Sequence, residues 1–230
     1  KTPPDQPSFK MELGYIRTRH VHIVPSNVND ELSGFNTLQI SNDSGKSWSN
    51  VSENDFNNDS KIDFNYNIPS NDSFNWDISL RTIDNAGNAS RASKSIHINN
   101  IKIMINDAYL GCLQRAATDV ELNNWEEKVY VSDTEGISPT VMAICNSEES
   151  ISKSSDPGTI ARMFYWGFMG RSADEEHVPG HASRIAINRW NGALVYVNDP
   201  GKVFADVGTN EYSKLCETYG VPWKPYQTKN

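Results

Sequence analysis

Residues 74–82 read FNWDISLRT, and apolar and polar side chains alternate throughout this stretch. Successive side chains of a β-strand point to opposite faces, so Phe74, Trp76, Ile78 and Leu80 would share one face. The alternation predicts a half-buried strand.

Similar stretches lie on both sides of this one, at residues 21–24, 35–40, 61–68 and 95–98. Asn- and Gly-rich clusters separate them: NDSG at 42–45, NNDS at 57–60 and NAGN at 85–88. Residues 1–100 contain 16 Asn, against 9 in residues 101–230. Because Asn favours turns and short strands with regular turns favour a sandwich, we predict a β-sandwich over residues 8–99. The opening KTPPDQP predicts a linker over residues 1–7.

The periodicity changes after residue 100. Ile101, Ile105, Ala108 and Cys112 recur at spacings of three and four, which indicates a helix. The Pro residues of SPTV at 138–141 and DPGT at 156–159 are typical of helix starts. The sequence therefore predicts an all-α domain over residues 100–222, followed by a tail at 223–230.

This second half repeats itself. Residues 109–119, YLGCLQRAATD, align with 165–175, YWGFMGRSADE, at an offset of 56. Residues 141–149 align with 203–211 at an offset of 62, so about six extra residues are expected to enlarge a loop near Trp190. The copies span about 102–150 and 158–221. Two units too small to bury their own cores are expected to pack together.

The helical half resembles a bacterial extracellular helical repeat family of unknown function, found in secreted Firmicutes enzymes and adhesins. The resemblance rests on the Y-x-x-x-[LM]-[GQ]-R motif, an acid, Trp125 ten residues after Arg115, and S-x-E or T-x-E-Tyr. Gln114 departs from the usual Gly in copy one, and His181 stands where copy two should have Trp.

The first half resembles bacterial immunoglobulin-like surface domains. SNDSGKSW at 41–48 is similar to their hairpin tip, and RTIDNAGNAS at 81–90 is similar to a late strand and its turn. Together the two resemblances imply a multi-domain fold, an all-β immunoglobulin-like sandwich followed by an all-α domain of two degenerate helical repeats. They also imply a bacterial protein that is extracellular or at the cell surface.

Charge and cysteine content narrow the function. The net charge of −8 argues against a nucleic-acid partner, and no apolar run reaches the roughly 20 residues of a membrane span. For Cys112, Cys145 and Cys216 we favour buried thiols, although a disulfide stays open.

Catalytic and metal sites are weakly indicated. The pairs His20/His22 and His177/His181 each lack a visible third ligand. Paired glutamates on predicted helices are most simply solvated faces, and no activated nucleophile is indicated, so a hydrolase is the least favoured alternative. No cofactor is expected. Calcium is a weak alternative at the turn residues Asp43, Asp59, Asp84 and Asn88.

The strongest candidate site is a sugar-binding one, since sugar rings stack on aromatic planes and their hydroxyls need polar partners. Trp125 and Trp166 are predicted to be core residues. The speculative ligand-binding residues are Trp190, Arg189, Asn191, Tyr196, Asn198 and Trp223.

The predicted function is non-catalytic binding of a plant or cell-wall polysaccharide or a cell-surface glycan, as an accessory part of a larger secreted enzyme. The alternative is a structural spacer or an adhesion and protein-interaction segment of a surface protein. Other domains of the same polypeptide are expected partners.

Overall fold

The computed structural model describes residues 2–28, 34–52, 62–65, 74–131, 136–197 and 211–222. By its internal contacts the chain divides into two units, a β unit within residues 1–98 and a helical unit formed by residues 99–230. The short segment Gly14–Arg19 belongs to the helical unit.

The β unit is a sandwich of two antiparallel sheets. One sheet has the order β1-β2-β5 and the other β4-β3-β6-β7, the strand arrangement of an immunoglobulin-like domain. The strands are β1 Ser8–Leu13, β2 His20–Ser26, β3 Phe35–Ser41, β4 Ser49–Val51, β5 Ile62–Asn65, β6 Phe74–Asp84 and β7 Ala89–Ile98.

Alternation places one face of each sheet in the core. In β6, Ile78 and Leu80 are fully buried, while Asn75 and Asp77 are exposed. The predicted strand at residues 74–82 is thus confirmed, although Trp76 is only half-buried. β1 and β4 were not predicted, since β4 has only three residues and β1 directly follows the Pro-rich opening.

The helical unit contains eight α-helices and one π-helical turn within the described residues. They are α1 Asn100–Ala108, the π-helical turn Tyr109–Leu113, α2 Asp119–Val131, α3 Ile137–Cys145, α4 Glu148–Lys153, α5 Pro157–Met169, α6 Val178–Ile187, α7 Arg189–Val197 and α8 Glu211–Thr218. Every residue of α1 is buried, so this helix forms the centre of the unit. Asp156 caps α5 through a 2.7 Å bond from the Thr159 N–H, as DPGT predicted.

In the first repeat, Arg115 joins three helical segments. Its guanidinium forms bidentate pairs with Glu121 of α2 and Glu149 of α4, at 2.8–3.0 Å, and lies 4.9 Å from the Tyr109 ring centroid. The Trp125 Nε1–H donates to the Tyr109 hydroxyl at 2.9 Å. Trp125 is half-buried rather than a full core residue.

The second repeat reproduces this arrangement. Arg171 forms bidentate pairs with Asp174 and with Glu211 of α8, at 2.7–3.0 Å, and lies 5.1 Å from the Tyr165 ring centroid. His181 lies where Trp125 does, with Nε2 3.3 Å from the Tyr165 hydroxyl. The repeat is therefore confirmed at these side chains. Residues 203–210 of the second alignment lie outside the described residues.

The two repeats meet at their glycines. A Cβ on Gly111 would lie 2.2 Å from the backbone nitrogen of Gly167, its repeat partner, so both must lack a side chain. The π-helical turn and α5, which are equivalent in the two repeats, each end at a residue with left-handed backbone. These residues are Gln114, at φ 57°, and Gly170, at φ 60°. The departure of Gln114 from glycine has not changed the backbone there.

A disulfide joins Cys112 and Cys145, whose Cα atoms are 5.1 Å apart, and Cys216 is a buried free thiol. Our preference for buried thiols was wrong for the first two. The repeat brings the π-helical turn against α3, and sequence periodicity does not show that contact.

Candidate functional site

Four of the six predicted sugar-binding residues lie on α7, which begins where α6 ends: Arg189, Trp190, Asn191 and Tyr196. The stretch near Trp190 was expected to be an enlarged loop, and this expectation was wrong. The Asn188 side chain caps α7 by accepting the Asn191 N–H at 2.9 Å. Gly192 lies so close to α6 that a Cβ there would meet Ile185 Cγ1 at 2.5 Å. These two contacts hold α7 directly against α6.

Arg189 points into the helical unit instead of toward a ligand. One Nη2 atom donates to the Cys145 carbonyl at 3.0 Å and to Ser150 Oγ at 2.8 Å. The guanidinium lies 5.1 Å from the Phe164 ring centroid. Burial lowers the pKa of Arg189 from its ordinary value. Its role is to fasten the start of α7 to the end of α3 and to α4.

Tyr196, one of the speculative ligand-binding residues, is a core residue and only 4% exposed, which does not suit contact with a ligand at the surface. Its ring stacks on Phe168 with centroids 5.3 Å apart, and its hydroxyl donates to the Ala161 carbonyl at 3.3 Å. Burial raises the pKa of Tyr196 well above its ordinary value. The helical period places Tyr196 on the opposite side of α7 from Asn191.

Two predicted residues stay at the surface. Trp190 is half-buried, and Asn191 is exposed. Ile187, the last residue of α6, is 86% exposed. Together they offer an indole, an amide and an aliphatic side chain at the α6–α7 corner. Asn198 and Trp223 lie outside the described residues.

The turn residues considered for calcium serve their own loops. The Asp43 carboxylate accepts the Lys46 and Ser47 N–H groups at 2.9 Å and the Ser47 hydroxyl at 2.6 Å, and these bonds lower the pKa of Asp43. Asp84 accepts two bonds from Asn88, at 2.6 and 2.7 Å. Asp59 lies outside the described residues.

Within the described ranges no three His, Cys, Asp or Glu side chains cluster closely enough to hold a metal ion. Burial, with Arg184 and His177 nearby, lowers the pKa of His181 to about 4. In the same part of the chain no helix has the length and apolarity needed to cross a bilayer.

Sequence reasoning missed a second aromatic residue in a charged setting, Trp48 at the end of the β3–β4 hairpin. Its Nε1–H donates to the Gly45 carbonyl at 3.1 Å. The guanidinium carbons of Arg81 and Arg91 lie 4.2 and 5.5 Å from its ring centroid. The available signal was the outward phase of β6 and β7, which places both arginines on the face opposite to Ile78 and Leu80.

Comparison with known proteins gives fold likeness alone. No protein-family model matches the chain, the helical half included, and no curated protein matches it. The structure is similar to the PKD1 domain of the Vibrio cholerae metalloprotease PrtV, with a TM-score of 0.31 and 10% identity, over 42% of this chain and 98% of that one. The PKD1 domain of Vibrio anguillarum Epp gives 0.28 and 14%, over 41% and 95%.

A solved structure of carbohydrate-binding modules from the β-sandwich super family gives a TM-score of 0.31 and 17% identity, over 48% of this chain and 43% of that one. Scores this low carry no conclusion about activity or ligand. The division into an N-terminal β-sandwich and a helical unit rests on the strands and helices of this chain.

Proposed function

We propose that the chain is a non-catalytic, extracellular binding module that recognises a polysaccharide as an accessory part of a larger secreted enzyme. The observation that carries this proposal is the way Trp190 is held. Arg189 fastens the residue before it, and the Asn188 cap fixes the residue after it. A backbone fixed on both sides of the residue that contacts the ligand loses little conformational entropy when the ligand binds.

The disulfide supports the extracellular part of the proposal. Disulfides persist in oxidising compartments and are rare where thiols are kept reduced. The bond between Cys112 and Cys145 joins two fully buried residues of the helical core.

Binding would combine stacking with hydrogen bonds. The C–H face of a sugar ring lies against the Trp190 indole, the exposed Asn191 amide bonds a hydroxyl, and Ile187 extends the apolar contact. One such site is small, so we expect weak affinity that neighbouring modules raise through multivalency.

The test is affinity electrophoresis and calorimetry of the whole chain with xylan, mannan, β-glucan and pectin. We expect Trp190→Ala to weaken the binding found by about fivefold or more, because stacking on an aromatic ring contributes about 1 kcal/mol. The matched control is Tyr130→Ala, because Tyr130 is an aromatic residue of α2 that is 63% exposed. Unchanged binding by Trp190→Ala, at an unchanged melting temperature, contradicts the site.

Exposed aliphatic side chains favour a second candidate, an adhesion or protein-interaction segment. Val120, Ile151 and Ile187 of the helical unit are each more than half exposed. Large apolar side chains at a surface are typical of contacts with other proteins when they adjoin one another. Failure of every polysaccharide to retard the chain would favour this candidate over the first.

A further inference from the structure

The outward face of the four-stranded sheet carries a continuous row of side chains, one from each strand. In register across β4, β3, β6 and β7 these are Asn50, Gln39, Arg81 and Arg91. Gln39 Nε2 donates to Asn50 Oδ1 at 2.6 Å, and Arg81 Nε donates to Gln39 Oε1 at 2.6 Å. With Trp48 these four residues form what we call the Trp48 face.

The two arginines of this face are opposed like charges. Arg81 and Arg91 are directly paired residues of adjacent antiparallel strands, and like charges in that position destabilise a sheet. Arg91 donates only to neutral acceptors, the Ser44 carbonyl and the Ser79 and Ser93 hydroxyls, at 2.8–3.0 Å. Across the described ranges neither arginine forms an ion pair.

Three arginines of the helical unit differ in this respect, whereas Arg189, like Arg91, donates to neutral acceptors. Arg115, Arg162 and Arg171 each form bidentate pairs with a carboxylate. Two acids of the β unit accept bonds from other groups, since Asp43 serves its own turn and Asp77 accepts the Ser44 hydroxyl at 3.2 Å. Within the residues that the structure describes, the Trp48 face therefore holds two cations beside an aromatic ring, and neither is in an ion pair.

We infer that the Trp48 face binds an acidic polysaccharide, with a uronate carboxylate between the Arg81 and Arg91 guanidiniums. The Trp48 ring offers a stacking surface, and the Gln39 and Asn50 amides face the hydroxyls along the same row. This inference rests on the proposed polysaccharide binding and assigns a ligand class and a second site to it. A duplex nucleic acid carries one negative charge per about 1.7 Å of its axis, so its binding requires many cations. This face has two arginines, and the chain has a net charge of −8, so duplex nucleic acid is the less favoured ligand.

The test is affinity electrophoresis of the whole chain in gels containing polygalacturonate, with dextran as the neutral polymer. We expect retardation by polygalacturonate that weakens as NaCl rises, because salt screens exposed charges. The double variant Arg81→Gln/Arg91→Gln should bind at least about tenfold more weakly, and Trp48→Ala should also lose affinity. The control Lys153→Gln/Arg162→Gln removes two exposed charges from the helical unit and should bind within about twofold of the parent.

Melting temperature separates binding from structure. Removing opposed cations should leave the melting temperature of the double arginine variant equal to or above that of the parent. Retention of full affinity by that variant, a marked fall in its melting temperature, or equal retardation by duplex DNA would each overturn the inference. Neutral-polysaccharide binding that depends on Trp190, without polygalacturonate binding, would overturn it and leave the proposed function standing.

Discussion

Gly111 lies where the first repeat touches the second, and no other residue fits there. A Cβ would meet the Gly167 nitrogen at 2.2 Å and the Trp166 carbonyl carbon at 2.6 Å, and both are backbone atoms. A flexible side chain could move aside, but a helix backbone moves only by repacking the core. This crossing sets how closely the π-helical turn and α5 approach each other.

Gly111→Ala should therefore lower the free energy of unfolding by about 2 kcal/mol or more, through overpacking. Gly180→Ala is the matched control. A Cβ at Gly180 meets nothing within 4 Å and lies inside α6, so alanine should raise stability by about 0.5–1 kcal/mol. Urea denaturation of both variants measures the two effects. Equal effects, or a neutral Gly111→Ala, would contradict the close approach.

In each repeat, ion pairs around one arginine, Arg115 or Arg171, connect the helices. Arg115 connects the end of the π-helical turn to the starts of α2 and α4. Its hydrogen bonds lower the pKa of Glu121 to about 2 and also lower the pKa of Glu149. Carboxylates with lowered pKa values in the folded state contribute stability above their ordinary pKa and lose it as pH falls through the folded pKa.

Arg115→Gln should lower the melting temperature most above about pH 5, and the gap to the parent should close as pH falls toward about 2. The reason is that protonated Glu121 no longer gains from the arginine. Circular dichroism melts from pH 2 to 7 measure this. Arg162→Gln, which breaks the exposed pair with Glu175, should give a much smaller gap. A gap independent of pH would show that Arg115 acts through packing instead.

Elements with strong local signals were predictable, and elements set by distant contacts were not. Alternation identified the strand at residues 74–82, and the periodicity from Ile101 and the Asp156-Pro157 start predicted real helices. The loop expected near Trp190 is a helix because Gly192 packs on Ile185 of the preceding helix. Helix packing buries Tyr196 and brings Cys112 and Cys145 together. Local sequence patterns do not show such contacts between distant residues.

In the candidate site, too, local features were predictable from the sequence and distant contacts were not. The sequence predicted Trp190 and Asn191 as site residues, and the structure leaves Trp190 half-buried and Asn191 exposed. It did not show that Arg189 turns inward to α3 and α4, because the acceptors are 39 and 44 residues away. It also missed the Trp48 face, where strand register brings together residues from four separate stretches.

At the scale of the whole molecule, the Cys112–Cys145 bond is the one covalent link between distant parts of the described chain. It closes a separation of 33 residues inside the first repeat and touches the second, because Gly167 lies against both sulfurs. A cross-link of this span restricts the unfolded chain and should stabilise the helical unit by about 4 kcal/mol.

Cys112→Ala/Cys145→Ala should accordingly lower the melting temperature by well over about 5 °C. A reductant should have a similar effect on the parent. The same reductant should leave the double variant unchanged, which separates loss of the bond from loss of packing. A parent chain indifferent to reduction would contradict the structural role of the bond.

The membership of Gly14–Arg19 in the helical unit has a consequence for biosynthesis. The Ile16 N–H donates to both carboxylate oxygens of buried Asp107, at 3.0 and 3.2 Å, across 91 residues of chain. At roughly 5–20 residues per second, a ribosome takes about 5–20 s to make that stretch. Arg17 donates to the Met169 carbonyl and the Glu211 carboxylate, so its partners are synthesised later still. A recombinant fragment starting at residue 99 would lack this early-made piece and leave the Asp107 carboxylate without its backbone donor.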